Sequence, residues 1–128
     1  MPPSRRSARG ELFERLQAMT SALTPPPDRV DPGPVRVTYL VNPRLAMSSG
    51  KTLAQVAHAA VMAADGGGLE DWVAVGCPAL VAAPPQRVFD ALCESDGLAA
   101  RVVDAGLTEV EPGTVTVLAI PPGVPLRP

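Results

Sequence analysis

Apolar and polar positions alternate first at Val35, Val37, Tyr39 and Val41, with Arg36, Thr38 and Leu40 between them. That period predicts a strand with one wetter face. Ser48-Ser49-Gly50 then offers helix-capping chemistry, and residues 51–64 read as a helix. Its expected inner face is rich in alanine: Leu53, Val56, Ala57, Ala60 and Ala64. Gly66-Gly67-Gly68 ends it, and a short amphipathic piece surrounds Trp72. Residues 79–83 form an apolar run of strand length. Pro84-Pro85 opens another helix, with Val88, Phe89 and Leu92 inward and Gly97 near its end. Residues 101–104 and 114–120 read as two further strands, and Pro112-Gly113 makes the turn before the last. The order β-α-(α)-β-α-β-β predicts a single α/β domain, a four-stranded mixed sheet flanked by helices as three α/β/α layers. No internal repeat interrupts it.

The expected domain covers residues 35–128, and residues 1–34 read as an N-terminal helix and proline-rich linker. Ser7 to Leu23 has helical spacing of Leu12, Phe13, Leu16, Met19 and Leu23, then breaks at Thr24-Pro25-Pro26-Pro27. Arg5, Arg6, Arg9 and Arg15 collect positive charge there. Two readings are open: an amphipathic helix docked on the domain, or an arm that touches nucleic acid. At the other end, four prolines in residues 121–128 forbid a helix.

Composition narrows the function. A chain of 128 residues with 3% aromatics has a thin core built from small side chains. With net charge −2 it is not a basic nucleic-acid binder as a whole, so contact with RNA would need a local patch. No apolar stretch follows the first arginines, and no run of 18 apolar residues occurs, which points to a cytoplasmic protein without a membrane partner. Cys77 and Cys93 read as buried or partly buried free thiols. Their spacing, with His58 the single histidine, does not suit zinc, and no metal or cofactor is expected. Ten of the eleven basic residues are arginine. The one lysine, Lys51, is a hint that a compact ammonium is needed there.

Lys51, Gln55 and His58 stand at i, i+4 and i+7, within roughly 60° of one another on a helix. They form one polar stripe below a helix head whose amides suit an anion or oxyanion. The plainer reading is a solvent-facing stripe opposite the core. Gly50-Lys51-Thr52 is not the end of a phosphate-binding loop, because Leu45 stands where that motif needs glycine. A second cluster runs Asp104-Ala105-Gly106-Leu107-Thr108 and on to Thr116. A carboxylate at a strand end, beside glycine, is where α/β sheets place reactive groups. An ordinary turn between strands is the plainer reading here.

These two segments, Met47-Ser-Ser-Gly-Lys51 with Gln55 and His58, and Asp104-Ala-Gly-Leu-Thr108 with Pro112-Gly-Thr-Val-Thr116, resemble the type 2 peptidyl-tRNA hydrolases. Trp72 and Gly76 also fall where that family has a tryptophan and a glycine. The likeness spans about residues 35 to 122. It implies an α/β sandwich, usually a homodimer, that cleaves the ester between a peptide or N-acyl-amino acid and tRNA by metal-free attack of water. It also implies catalytic roles for Lys51, Asp104, Thr108 and Thr116, and substrate-binding roles for Gln55, His58, Gly50 and Gly106. Two other functions stay open: an ester-processing or acyl-transfer enzyme on another aminoacyl or peptidyl carrier, and a binding module without catalysis.

The chain departs from the family pattern in three places. Asn42 and Arg44 stand where the family favours arginine and aspartate. Residues 121–128 replace its closing segment, and the N-terminal helix is an addition. Ser7 to Leu23 is expected to cover sheet surface that the closing segment would otherwise cover.

Overall fold

The computed structural model describes residues 32–106 and 109–124. The expected N-terminal helix and Thr108 therefore lie outside the described residues. The elements are β1 (Val37–Val41), α1 (Ser49–Asp65), α2 (Glu70–Ala74), β2 (Ala79–Ala82), α3 (Gln86–Cys93), β3 (Ala100–Val103) and β4 (Val115–Ile120). The sheet runs β2-β1-β4-β3, with β1 parallel to β2 and β4 antiparallel to both of its neighbours. The α/β domain and its mixed four-stranded sheet are as expected.

Two apolar clusters, one on each side of the sheet, explain the layers. Val37 and Tyr39 of β1, Val102 of β3, and Val117 and Ala119 of β4 pack with Ala59 and Ala63 of α1 and Trp72 of α2. Leu40, Leu118 and Ile120 pack on the opposite side with Phe89 and Leu92 of α3. Because helices cover both sides, β1 has no wetter face: Val37 through Leu40 are all buried. The strand also begins at Val37, two residues later than the alternation suggested. Trp72 joins the layers further, its indole N–H donating to the Pro78 carbonyl at 2.8 Å.

The inner face of α1 differs from the expected one. Ala59, Ala63 and Gln55 are buried, with Val56 and Ala60 packed beside them, whereas Leu53, Ala57 and Ala64 are exposed. Alanine surrounds this helix, so apolar periodicity hardly marks a side. The sheet takes the face that the small residues let approach closely. The two cysteines are free, but Cys77 is exposed rather than buried.

The pairing of β3 with β4 contains a bulge. Val102 lies opposite Val117 and Val103 opposite Val115, which leaves Thr116 as the extra residue. Val115 consequently packs with the α3 cluster, while Val117, two residues on, belongs to the α1 cluster. The bulge turns Thr116 toward α1.

Candidate active site

The site forms where the head of α1 meets the C-terminal end of β3. Ser48, extended at ψ 161°, caps α1: its hydroxyl oxygen accepts the Lys51 N–H at 3.2 Å. The Thr52 hydroxyl and backbone N–H both donate to the Ser48 carbonyl at 2.9 Å. Lys51 is thereby fixed on the first turn, one residue beyond Gly50, which is exposed and has open space where a Cβ would sit.

Lys51 Nζ donates to Asp104 Oδ2 at 2.6 Å. Both side chains are almost enclosed, at 12% and 6% exposure, so this is an internal ion pair rather than a surface one. The other carboxylate oxygen, Oδ1, accepts the Gly106 N–H at 2.6 Å. Burial alone pushes the Asp104 carboxyl up. The hydrogen bonds from Lys51 and Gly106, with the charges of Lys51 and His58, outweigh burial and hold it below the ordinary carboxylate value. Asp104 is accordingly ionised at neutral pH.

Backbone bonds close the loop that follows Asp104. Its N–H donates to the Thr114 carbonyl at 2.9 Å, and the Gly113 N–H donates to the Asp104 carbonyl at 2.8 Å. Gly106 has φ +78°, and a Cβ there would stand 2.5 Å from the Pro112 ring. Only glycine fits this approach.

Gln55 lies on the inner stripe with Lys51 and is buried. Its Oε1 accepts the Thr116 hydroxyl at 2.7 Å, the contact that the bulge makes possible. Thr116 is fully buried, so its hydroxyl faces Gln55 rather than an open pocket. The solvent-facing reading of the stripe thus fails for Lys51 and Gln55 and holds for His58, which is exposed.

One contributor escaped the sequence reading. The Glu109 carboxylate accepts the Ser48 N–H at 2.8 Å on Oε1 and the Ser48 hydroxyl at 2.6 Å on Oε2. The head of α1, expected as an open anion site, already holds a carboxylate from the loop. A capping serine was legible as a signal; which acid it pairs with across 61 residues was not. Asn42 and Arg44 sit apart from this chemistry. Asn42 donates to the Val115 carbonyl at 2.9 Å and accepts from Gln86, and Arg44 forms an exposed pair with Asp90.

A buried lysine–carboxylate pair beside an oriented amide suits the hydrolysis of an ester or amide, in which a positioned water and a counter-charge act together. The chain matches the family model described as peptidyl-tRNA hydrolase PTH2 over residues 35–125, and it belongs to that family. It is 41% identical over 90 residues to the peptidyl-tRNA hydrolase of Methanopyrus kandleri, covering 61% of this chain and 76% of the relative. With the peptidyl-tRNA hydrolase of Sulfolobus acidocaldarius it shares 36% identity over 107 residues, 70% of this chain and 88% of the other. The human protein called peptidyl-tRNA hydrolase 2, mitochondrial, is 36% identical over 104 residues, which are 73% of this chain and 58% of that one.

Proposed function

We propose that the chain hydrolyses the ester joining a peptide or N-acyl-amino acid to tRNA, with Lys51 and Asp104 as the working pair. The observation that carries this reading is their 2.6 Å contact inside an almost closed site. A carboxyl held below its ordinary value is a weak base. Asp104 therefore serves to orient the attacking water and to hold Lys51, rather than to take a proton outright. Lys51 supplies positive charge against the oxyanion that develops on the ester carbonyl. Thr116 works through Gln55: with Oε1 occupied by the threonine hydroxyl, the amide Nε2 is the group left to donate to substrate.

Thr108, outside the described residues, is assigned to position the water. Gly106 fixes the Asp104 rotamer. Exposed Gly50, at the head of α1, and exposed His58, on the same stripe as Lys51, are suited to meet the acceptor end of tRNA. The working unit is residues 35–128 with residues 1–34 appended, acting in the cytoplasm as a homodimer without metal or cofactor. The homodimer is what the family likeness implies; Leu53 and Val61, exposed and within roughly 80° of each other around α1, are the apolar surface such a contact would cover. No helix among the described residues is long and apolar enough to cross a membrane.

Turnover of N-acetyl-aminoacyl-tRNA tests the proposal. Lys51→Ala and Asp104→Ala should each reduce kcat/KM by roughly a hundredfold or more, the scale of losing one charged transition-state contact. Activity close to wild type in either variant refutes the assignment. Binding without turnover by the wild-type chain would mark a non-catalytic module instead. Preferential cleavage of a different aminoacyl or peptidyl ester would mark an ester-processing relative.

A further inference from the structure

We propose that Glu109 is a positioning residue: its carboxylate latches the loop carrying Asp104 to the head of the helix carrying Lys51. The inference rests on the catalytic reading of that pair. Lys51 and Asp104 belong to separate elements, and their contact requires the two to keep a fixed distance. The loop base is held by contacts within the loop: Asp104 N–H to Thr114, Gly113 N–H to Asp104 and the close approach of Gly106 to Pro112. Among the described residues, the loop is joined to the head of α1, beside the ion pair, through Ser48, whose N–H and hydroxyl donate to the Glu109 carboxylate at 2.8 and 2.6 Å.

The chemistry of the latch suits this task. Glu109 engages both the N–H and the hydroxyl of one residue, so it fixes an orientation as well as a separation. Ser48 in turn caps the Lys51 N–H. A continuous chain, Glu109 to Ser48 to Lys51 to Asp104, closes on the loop from which it started. The negative charge also sits at the positive end of α1, where it is favourable. Glu109 acts on Lys51 through Ser48, so it is not assigned a contact with substrate.

The test uses the full chain with Glu109→Ala, Glu109→Gln, Ser48→Ala and the double Ser48→Ala/Glu109→Ala. Two readouts are followed: kcat and KM on N-acetyl-aminoacyl-tRNA, and the Asp104 carboxyl titration by NMR. Glu109→Ala is expected to lower kcat by roughly tenfold to a hundredfold, the scale of a ~1 Å misplacement, with KM changing far less. The Asp104 titration should move upward in the same variant as the Lys51 contact loosens.

Glu109→Gln should restore most of both properties, since its amide can accept the Ser48 N–H and donate to the hydroxyl. The double variant should be no worse than Glu109→Ala alone, because both residues act along one chain. An unmoved Asp104 titration in Glu109→Ala overturns the latch, and so does kcat equal to wild type. Additive losses in the double variant, or no rescue by glutamine, would equally count against it. The titration is independent of turnover. If the wild-type chain cleaves no tRNA ester, the functional reading fails while the latch is still decided.

Discussion

Gly106 and Gly113 both have positive φ, +78° and +81°, yet their surroundings differ. An alanine Cβ at 113 meets open space, whereas at 106 it meets Pro112 at 2.5–2.7 Å, including the backbone nitrogen. Gly113→Ala should cost about 1 kcal/mol from the backbone alone. Gly106→Ala should cost about 3 kcal/mol, from strain and displacement together. It should also slow turnover, since Gly106 holds one oxygen of Asp104. Urea unfolding of the two variants measures the difference, and equal losses would show that the close approach does not matter. At this scale the sequence was informative where residue type is rare or demanding. A single lysine, a strand-end aspartate and a glycine beside it are visible in one dimension. Glu109 is not, because an acid in a loop has no period, and its partner is set by how the loop closes. Thr116 was legible as a candidate hydroxyl but its burial against Gln55 was not, since a bulge shifts the alternation without marking itself in composition.

Among the elements, α1 and α3 show opposite degrees of legibility. Val88, Phe89 and Leu92 of α3 stand out against polar neighbours, and Phe89 and Leu92 are buried as expected, with Val88 packed beside them. In α1, alanines on every side hid the orientation, and the buried face turned out to hold Gln55 with Ala59 and Ala63. The strand positions were legible to within a few residues. Their order β2-β1-β4-β3 was not, because one sequence does not state which strands pair. The α3 layer rests on few large side chains, so it is easily tested. Phe89→Ala should lower stability by about 3–5 kcal/mol, as expected for a fully buried aromatic in a close-packed cluster. Thermal unfolding gives the value, and a loss under 1 kcal/mol would mean that the second layer contributes little.

For the whole molecule, the internal ion pair links stability to acid. The Asp104 carboxyl is lower in the folded state than in the unfolded chain, where it titrates near ~3.9. Its contribution is thus complete above that value and is lost as pH falls through the folded one. Unfolding free energy should be insensitive to this group between neutrality and about pH 5, and decline below about pH 4. In Asp104→Asn that part of the acid decline should be missing, which a series of melts across pH measures. The topology carries a last consequence. β4 is the last strand of the sheet to be synthesised, yet it lies between β1 and β3 and contributes to both apolar clusters. Without β4, β1 and β3 have no strand between them and each apolar cluster lacks its β4 members, so completion of the sheet and of both layers depends on one strand.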